Sequence, residues 1–362
     1  MADLAVLVVS HNAAQWLERC LRSVYEHAGG ARLELVVVDS GSTDGSAELI
    51  EREFPEVLLL RGANRGFAAA NNVGVCAVTA PFVLFLNPDT EIIEGELGEL
   101  LALLRSRPCV GLVGCRQVGA DGGLLPTIRR FPTAARYLCG AIGSERWPIL
   151  GARLGERVLA AAAYERETRC DWTVGSFMLA RRAAILAAGG MDERYFLYCE
   201  EPDLCLRLRR LGWEVRHLPA MTIVHHAGKA GRNELLVAQD AYARAQYLLK
   251  NMGPVQRRLA LLALVLNHLL RAGWVCRGQD LRRSRRACAR RAISTLLGGV
   301  PPPFEAAASR CAESAPASRC AESAPVSRCA ESAPASRCAE SAPASPGADA
   351  RAADARAAEV GT

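Results

Sequence analysis

The 362-residue chain has no long apolar run, no glycine-rich phosphate loop and no closely paired cysteines. Its most apolar stretch, Leu259 to Val275, is interrupted by Asn267, His268 and Arg271, whereas a membrane-spanning helix needs roughly 20 apolar residues. The chain contains neither G-x-G-x-x-G nor G-x-x-x-x-G-K, so no backbone cradle for a diphosphate is expected. A bound nucleotide would therefore need another group to neutralise its phosphates.

Cysteine usage favours a reducing compartment. Four of the 14 cysteines belong to a nine-residue repeat near the C-terminus. Several others, including Cys76 and Cys205, lie in apolar patterns where a reduced thiol packs as a small hydrophobe. The apolar run Leu4 to Val9 is too short for a signal peptide. We expect a cytoplasmic protein, with peripheral contact to the inner face of the cell membrane as one option.

Charge and composition divide the chain into three parts. The net charge is +6, but ten arginines and one aspartate between Arg257 and Arg291 give +9 there, which leaves 6 − 9 = −3 for the rest. After Pro301 the unit Ala-Ser-Arg-Cys-Ala-Glu-Ser-Ala-Pro recurs, a composition that buries too little apolar area to repay its ordering entropy. We predict a folded domain over residues 1–232, a basic helical extension over 233–300 and a disordered repeat tail over 301–362.

The basic extension allows two interpretations. An apolar helix followed by arginines is typical of an interfacial helix drawn to anionic lipid. The same pattern fits a helix that packs against the folded domain and has a solvated basic end. Nucleic acid is not an expected partner, because the segment lacks a recognisable binding fold and aromatic interleaving.

Short aliphatic runs alternate with helical patterns along the first 90 residues. The runs are Leu4 to Val9, Leu35 to Val38, Val57 to Leu60 and Phe82 to Leu86. The helical patterns are Trp16 to Val24, Ala47 to Phe54 and Phe67 to Val78. This alternation predicts an α/β fold with a mostly parallel sheet covered on both faces. Ligands bind beyond the carboxyl ends of such strands. The residues expected on that rim are His11, Asn12, Asp39, Asn64 and Asp89.

Two carboxylates follow buried strands on this rim. Asp39 precedes a glycine-containing turn in which Ser42 or Asp44 would cap the next helix, and we favour contact of Asp39 with a base or ribose over a structural role. Two interpretations are open for Asp89 in Asn87-Pro88-Asp89. It could hold a divalent cation together with substrate phosphate oxygens, or belong to a turn that caps a helix beginning near Ile93.

A second acidic cluster comprises Glu200, Glu201 and Asp203. Acids here suit the start of a helix, where the dipole favours them. The flanking aromatics also suit a sugar-binding wall beside a general base, since like charges raise one pKa. These aromatics are Tyr195, Phe196 and Tyr198. Further along, His225 follows a strand-like segment, and a metal contact and a core role are equally compatible with its position.

Together these residues resemble the motif series of family 2 glycosyltransferases, closest to the bacterial rhamnosyltransferase-like branch. The similarity runs from about Leu4 to Leu249. The motifs that carry it are Val8-Val9-Ser10-His11-Asn12, Val37-Val38-Asp39-Ser40-Gly41-Ser42-Thr43-Asp44-Gly45-Ser46, Asn64-Arg65-Gly66-Phe67, Asn87-Pro88-Asp89, Gly175-Ser176-Phe177-Met178 and Glu200-Glu201-Pro202-Asp203-Leu204-Cys205.

The resemblance implies a GT-A fold, an inverting mechanism and a dTDP- or UDP-sugar donor bound with Mg²⁺ or Mn²⁺. The sugar, rhamnose among the candidates, would pass to a hydroxyl of a lipid-linked or cell-surface glycan. Asp89 and His225 match metal-contacting positions, and Glu201 matches the base, with Glu200 and Asp203 in the same catalytic motif. The residues matching donor-binding positions are Ser10, His11, Asn12, Asp39, Ser42, Asn64, Arg65 and Asn87.

Two positions depart from the family pattern. Glu201 has one methylene more than the usual aspartate, and Ala230 replaces a small hydroxyl residue. The alternative function is therefore a protein of this fold that binds nucleotide sugars or glycans without turnover. The segment from Gly119 to Arg169 has no clear period and is either an acceptor-binding excursion or a surface insertion.

Overall fold

The computed structural model describes residues 1–143, 147–226, 234–273 and 279–298, together with Pro302 and Phe304. Ala230 lies outside the described residues, as does the predicted repeat tail apart from Pro302 and Phe304. The boundaries of the three predicted parts stay predictions.

Strands and helices alternate through the first half of the chain, as predicted. The strands are β1 (Leu4–Ser10), β2 (Leu33–Ser40), β3 (Leu58–Gly62), β4 (Phe82–Leu86), β5 (Thr90–Glu94), β6 (Val110–Gly119), β7 (Thr168–Cys170), β8 (Phe177–Arg181) and β9 (Glu214–His225). The helices are α1 (Ala14–Glu26), α2 (Ser46–Glu53), α3 (Phe67–Ala77), α4 (Leu97–Arg105), α5 (Ala134–Ala141), α6 (Pro148–Leu154), α7 (Arg182–Ala187), α8 (Glu200–Arg210), α9 (Glu234–Asn251), α10 (Pro254–Gly273) and α11 (Gln279–Leu296).

The described strands form one mixed sheet in the order β3-β2-β1-β4-β8-β6-β9-β5, with β7 also paired to β9. The pairs β1·β2, β1·β4, β2·β3 and β6·β9 are parallel, whereas β8 runs antiparallel to β4 and β6. The predicted α/β class with a mostly parallel sheet is therefore confirmed. Helices cover both faces, because one apolar cluster lies on each side of the sheet.

The register aligns the carboxyl ends of the parallel strands. Ser10 lies opposite Asp39 on β2, and Asp39 lies opposite Arg61 on β3. These strands are rich in buried valine and leucine, so their backbone groups pair within the sheet and polar side chains begin only where the strands end. The expected common rim follows from this register.

Residues 90–94 form a strand, not the start of a helix. β5 pairs antiparallel with β9, so that Thr90 lies opposite His225, and the next helix begins at Leu97. The alternative in which Asn87-Pro88-Asp89 caps a helix beginning near Ile93 is wrong. Residues 90–94 form a strand because they pair with β9. The local sequence pattern does not reveal a partner strand that lies far along the chain.

The C-terminal helices pack onto the rest of the chain. Tyr247 of α9 and Leu264 of α10 share a buried cluster with Tyr137 of α5 and with Tyr195. No helix among the described residues has the length and apolar character needed to span a bilayer.

The two cysteines singled out from the sequence differ in the structure. Cys205 is a buried free thiol, as expected. Cys76 is exposed near the end of α3 and is disulfide-bonded, as is Cys109. The expectation of a reduced, packed Cys76 is therefore wrong, because the side chain falls on the solvent side of the helix.

Candidate active site

The loop after β2 caps the start of α1. Three consecutive backbone N–H groups, those of residues 12–14, donate to side-chain oxygens of this loop over 2.9, 3.0 and 3.0 Å. The acceptors are, in order, Ser42 Oγ, Ser46 Oγ and Asp44 Oδ2. In return, Asn12 Oδ1 accepts the backbone N–H of Thr43 over 2.8 Å. Because the first N–H groups of a helix lack partners within it, these bonds lock the two loops of the rim together.

Two buried oxygens at adjacent strand ends have no hydrogen-bond partner. Asp39 is only 4% exposed; its Oδ1 accepts the Ser42 N–H over 3.0 Å, while its Oδ2 has no partner. The buried Oγ of Ser10, across the register, also lacks one. His11 Nδ1 lies 2.9 Å from the carbonyl of Ser40. An unsatisfied buried polar atom costs about 1–3 kcal/mol, so this corner is suited to a ligand that donates hydrogen bonds.

The loop after β3 joins the rim to the segment that precedes the second acidic cluster. Asn64 Oδ1 accepts the N–H of Gly66 over 3.1 Å, and Arg65 lies 3.2 Å from Glu193. Gly66 has a φ of 94°, and a Cβ there would overlap the carbonyl of Phe196. Glycine is thus required both for its conformation and for this close approach.

Asn87-Pro88-Asp89 bridges β4, β8 and β9. Asn87 donates its N–H to the carbonyl of Ser176 over 3.1 Å. Asp89 Oδ2 lies 3.2 Å from His225 Nε2, and the Asp89 carbonyl accepts the N–H of His226 over 2.8 Å. The structure therefore brings together the two residues expected to contact a metal.

The pair Asp89 and His225 fits a divalent cation that is completed by substrate. Among the described residues, no group of three or more His, Cys, Asp or Glu side chains forms a metal-binding set. Mg²⁺ commonly takes one or two carboxylates and fills its other positions with water and phosphate oxygens, and Mn²⁺ accepts similar oxygen ligands. A carboxylate oxygen and an imidazole nitrogen on one side of a rim are compatible with that chemistry.

Glu201 lies next to Gly175, on the turn that leads into β8. Its Oε1 accepts the Gly175 N–H over 2.9 Å. Burial raises the pKa of the Glu201 carboxyl, opposed by this hydrogen bond and by the charges of Arg129 and Arg244. A carboxyl group with a raised pKa and a fixed orientation has the properties of a general base.

Gly175 lies close to the Glu201 carboxylate. A Cβ at residue 175 would lie 2.8 Å from Glu201 Oε1, closer than real contacts allow. A larger residue at position 175 would therefore require the Glu201 carboxylate to shift.

Glu200 is 2% exposed, and its Oε2 has no hydrogen-bond partner. Burial, and then the charge of Glu201, raise the pKa of the Glu200 carboxyl well above the usual glutamate range.

Helix α8 begins after two non-glycine residues with positive φ, Tyr198 at 73° and Cys199 at 68°. Such conformations cost of order 1–3 kcal/mol each and persist only where the surroundings enforce them.

Asp203 is fully buried and surrounded by donors. Arg207 Nε and Lys250 Nζ each lie 2.8 Å from its carboxylate, and Asn251 Nδ2 donates to Oδ1 over 3.0 Å. The Tyr195 hydroxyl lies 3.5 Å from the same oxygen. This carboxylate therefore joins α8 to α9, and none of its surface is exposed to a ligand.

The expected aromatic wall is only partly accessible. Tyr195 belongs to the core, whereas Phe196 and Tyr198 are half-buried. The ring of Phe196 stacks on Phe304, with centroids 5.2 Å apart.

Sequence reasoning missed the arginines beside the acidic cluster. The bonds of Arg129 with Trp172 set it next to the segment that leads to Gly175, and Arg244 lies on α9. The sequence offered one signal, the Arg129-Arg130-Phe131-Pro132 run, but gave no indication of what it faces.

Comparison with known proteins identifies the class. The model of the family described as glycosyl transferase family 2 matches residues 5–164. A curated N-acetylglucosaminyl-diphospho-decaprenol L-rhamnosyltransferase of Mycobacterium tuberculosis is 32% identical over 243 residues, which cover 64% of this chain and 78% of that protein. The rhamnosyltransferase WbbL of Escherichia coli is 24% identical over 236 residues, 63% of this chain and 85% of WbbL.

Among solved structures, a mannosyltransferase from Pyrobaculum calidifontis in complex with GDP-Man and Mn²⁺ is similar, with a TM-score of 0.47 and 19% identity, covering 83% of this chain and 77% of that one.

The sheet, its polar rim and the two curated relatives define a glycosyltransferase with an α/β fold. The chain belongs to glycosyl transferase family 2 and is similar to its rhamnosyltransferases.

Proposed function

We propose that the protein is an inverting, metal-dependent glycosyltransferase that moves a sugar, rhamnose in the first instance, from a dTDP- or UDP-sugar to a lipid-linked glycan. The observation that carries the proposal is a continuous series of contacts. Glu201 accepts from Gly175, the adjacent Ser176 accepts from Asn87, and Asp89 two residues later contacts His225.

The donor would lie along the rim. Asp39 Oδ2 and Ser10 Oγ are free to contact the nucleoside, with Asn12 and Ser42 holding the surrounding loops in place. Direct contact with the nucleoside is proposed for His11, and Asn64, Arg65 and Asn87 would shape the rest of this edge. Asp89 and His225 would hold the metal, whose charge would stabilise the diphosphate leaving group.

Glu201 would act as the general base. Gly175 fixes one of its oxygens, which leaves the other to accept the proton of the acceptor hydroxyl. The deprotonated oxygen then attacks the anomeric carbon from the face opposite the nucleotide, so one displacement inverts the configuration. Asp203 would serve this site as an anchor of α8.

A lipid-linked acceptor is proposed from the relatives and from an exposed apolar face on α10. The M. tuberculosis relative is named for a diphospho-decaprenol acceptor. Five exposed side chains recur at intervals of four and three residues along α10, and therefore share one face. They are Val255, Leu259, Leu262, Leu266 and Leu269. Arg257 and Arg258 at the start of this helix add positive charge suited to anionic lipid.

The decisive experiment is a transfer assay with purified full-length protein, Mn²⁺, dTDP-rhamnose or a panel of UDP-sugars, and a short-chain diphospholipid-linked N-acetylglucosamine. We expect one donor to give a product of inverted anomeric configuration by NMR, with EDTA abolishing turnover. Metal-dependent donor binding without transfer or hydrolysis for any donor would instead support the non-catalytic binding protein.

A further inference from the structure

Two arginines near Glu201 each have a buried guanidinium nitrogen without a hydrogen-bond partner among the described residues. The Nε atoms of Arg129 and Arg136 are buried and form no hydrogen bond. The nearby acids are already engaged, since Asp171 lies 3.0 Å from Arg209 and Glu156 lies 3.5 Å from Arg244. An arginine cannot shed its charge in a protein, so an unpaired buried guanidinium is costly unless an anion binds it.

The residues next to Arg129 include an aromatic ring and further arginines. Its guanidinium lies 5.5 Å from the centre of the Trp172 ring, and Arg157 is its directly opposed partner across a β-bridge. Like charges opposite one another in paired strands are destabilising. Burial and the charges of Arg157 and Arg244 lower the pKa of the Arg129 guanidinium, against the favourable charge of Glu156.

Arg136 faces the same region from the first turn of α5. Its Nη1 donates to the carbonyl of Phe131 over 2.7 Å, which orients the planar group, and Asp171, which already pairs with Arg209, is a favourable charge nearby. Burial lowers the pKa of the Arg136 guanidinium, and Glu156 interacts favourably with both Arg136 and Arg129. Glu156 is thus shared by these two arginines and Arg244, while Asp171 also faces Arg136 and Glu201 also faces Arg129.

We propose that Arg129 and Arg136 form a binding site for an organic diphosphate, the diphosphate group of the acceptor. Planar guanidinium groups match the geometry of phosphate oxygens and bind them in bidentate fashion. The site adjoins the base, because Arg129 exchanges backbone hydrogen bonds with Trp172, three residues before the Gly175 that holds Glu201.

The location favours the acceptor over the donor as the source of the diphosphate. Asp89 and His225 provide for the donor on the rim, and they connect to the Gly175–Ser176 turn through Asn87. Arg129 approaches the same turn through Trp172. Arg136 lies on α5, which packs against α10, the helix with the exposed leucine face. A lipid-linked acceptor on that side would carry its diphosphate to the arginines. The inference rests on the proposed function for the identity of the acceptor, but not for the presence of an anion site.

The test is calorimetric titration of the full-length protein with geranyl diphosphate, in EDTA to remove metal-dependent donor binding. Geraniol and geranyl monophosphate serve as parallel probes. We expect the diphosphate to bind at least tenfold more tightly than geraniol, and Arg129→Gln and Arg136→Gln each to weaken it at least tenfold. The matched control is Arg52→Gln, an exposed arginine on α2 with 68% of its side chain accessible, which should bind as wild type.

Thermal unfolding without ligand separates a ligand site from a structural role. Removing an unpaired buried charge should leave the melting temperature unchanged or raise it, whereas loss of a structural contact would lower it. If Arg129→Gln does not fold, Arg136→Gln gives the same readout. Equal affinity of wild type for geraniol and geranyl diphosphate, or undiminished binding in the folded variants, would overturn the proposal.

A competition distinguishes the two sources of diphosphate. Excess UDP and dTDP in EDTA should not displace geranyl diphosphate, and displacement would assign the arginines to the donor and refute the acceptor site. Transfer activity is scored separately with Mn²⁺. Absence of transfer with intact geranyl diphosphate binding would reject the proposed function while leaving the anion site in place.

Discussion

Asp89 Oδ2 and His225 Nε2 lie 3.2 Å apart at the edge of the sheet, because β5 and β9 pair with Thr90 opposite His225. Neither residue has a third ionisable side chain that completes a metal site within the described part of the chain. The remaining coordination positions of a cation would therefore fall to water and to the phosphates of a donor. On the proposed function, donor binding and metal binding would therefore depend on each other.

Asp89→Asn should weaken Mn²⁺-dependent donor binding by roughly tenfold or more, because the amide keeps the size of the side chain but removes the charge that attracts the cation. Calorimetry with dTDP and UDP, with and without Mn²⁺, measures the effect. Glu91→Gln makes the same charge change at a nearby residue, which contacts His226 over 3.0 Å, and should have little effect. Equal losses in both variants would argue against Asp89 as the ligand.

Glu201→Gln should lower kcat by about 10²–10⁴-fold, the usual contribution of a general base. The amide oxygen can still accept the Gly175 N–H, so the melting temperature should change little. Glu193→Gln, whose side chain contacts Arg65 and Asn72, is the matched control for a glutamate outside the chemistry. A variant that transfers sugar at the wild-type rate would exclude Glu201 as the base.

The pH dependence of wild-type transfer activity should reflect the titration of the Glu201 carboxyl. Burial raises the pKa of Glu201, and a base acts only when deprotonated. Activity should therefore rise with pH along a limb that lies above the ordinary glutamate value, about 4.3. A rate independent of pH from pH 4 upward would contradict this assignment.

Glu200→Gln should stabilise the protein, and more so at pH 8 than at pH 5. A carboxyl group whose pKa is raised on folding binds more protons in the folded than in the unfolded state. Its stabilising effect is thus present below the unfolded pKa and is lost as pH rises through the folded value. A stabilisation of about 1 kcal/mol raises the melting temperature by roughly 2–4 °C in a domain of 150–250 residues. Melting temperatures at the two pH values that shift equally would count against a raised pKa at Glu200.

Asp203→Asn should destabilise the fold by about 3–5 kcal/mol, the usual cost of leaving buried cationic partners uncompensated. Arg207 and Lys250 are those partners. Urea unfolding measures the loss, and Glu18→Gln, which breaks an exposed pair with Arg22, should cost less than about 1 kcal/mol. If Asp203→Asn keeps full stability and loses only activity, Asp203 belongs with the catalytic groups after all.

Leu262→Asp on α10 should reduce co-sedimentation with anionic phospholipid vesicles, since a charge enters the face proposed to contact lipid. Leu262 is 67% exposed, so the fold should tolerate the change. Leu211→Asp makes the same substitution at a 42% exposed site after α8. Indistinguishable binding of the two variants and wild type would remove α10 from the interface.

Much of the fold follows from local pattern. The runs beginning at Leu4 and Phe82 became β1 and β4 within one residue, and the helical patterns became α1, α2 and α3 with similar accuracy. The alternative of a helix beginning near Ile93 was wrong, because a five-residue segment with Thr90 and Ile92 can form a strand or start a helix until its partner is known. Only β9 supplied that partner.

Some features of the candidate site could also be predicted from the sequence, and others could not. Residue type and motif order indicated Asp39, Asp89 and Glu201, since carboxylates that follow buried strands or open a helix beside aromatics suit ligand chemistry. Residue type alone does not distinguish Glu200, Glu201 and Asp203. In the structure, donors from α8 and α9 surround Asp203, whereas Gly175 hydrogen-bonds one oxygen of Glu201.

By itself, then, the sequence determined the α/β class, the order of the first strands and helices, and which acids lie at strand ends, because hydrophobic period and polar breaks act over a few residues. The tertiary structure alone decided that Asp89 meets His225, that the Gly175 N–H binds Glu201, and that the Nε atoms of Arg129 and Arg136 are buried without a hydrogen-bond partner among the described residues. Each of these depends on contacts between segments far apart in the chain, which local periodicity does not encode.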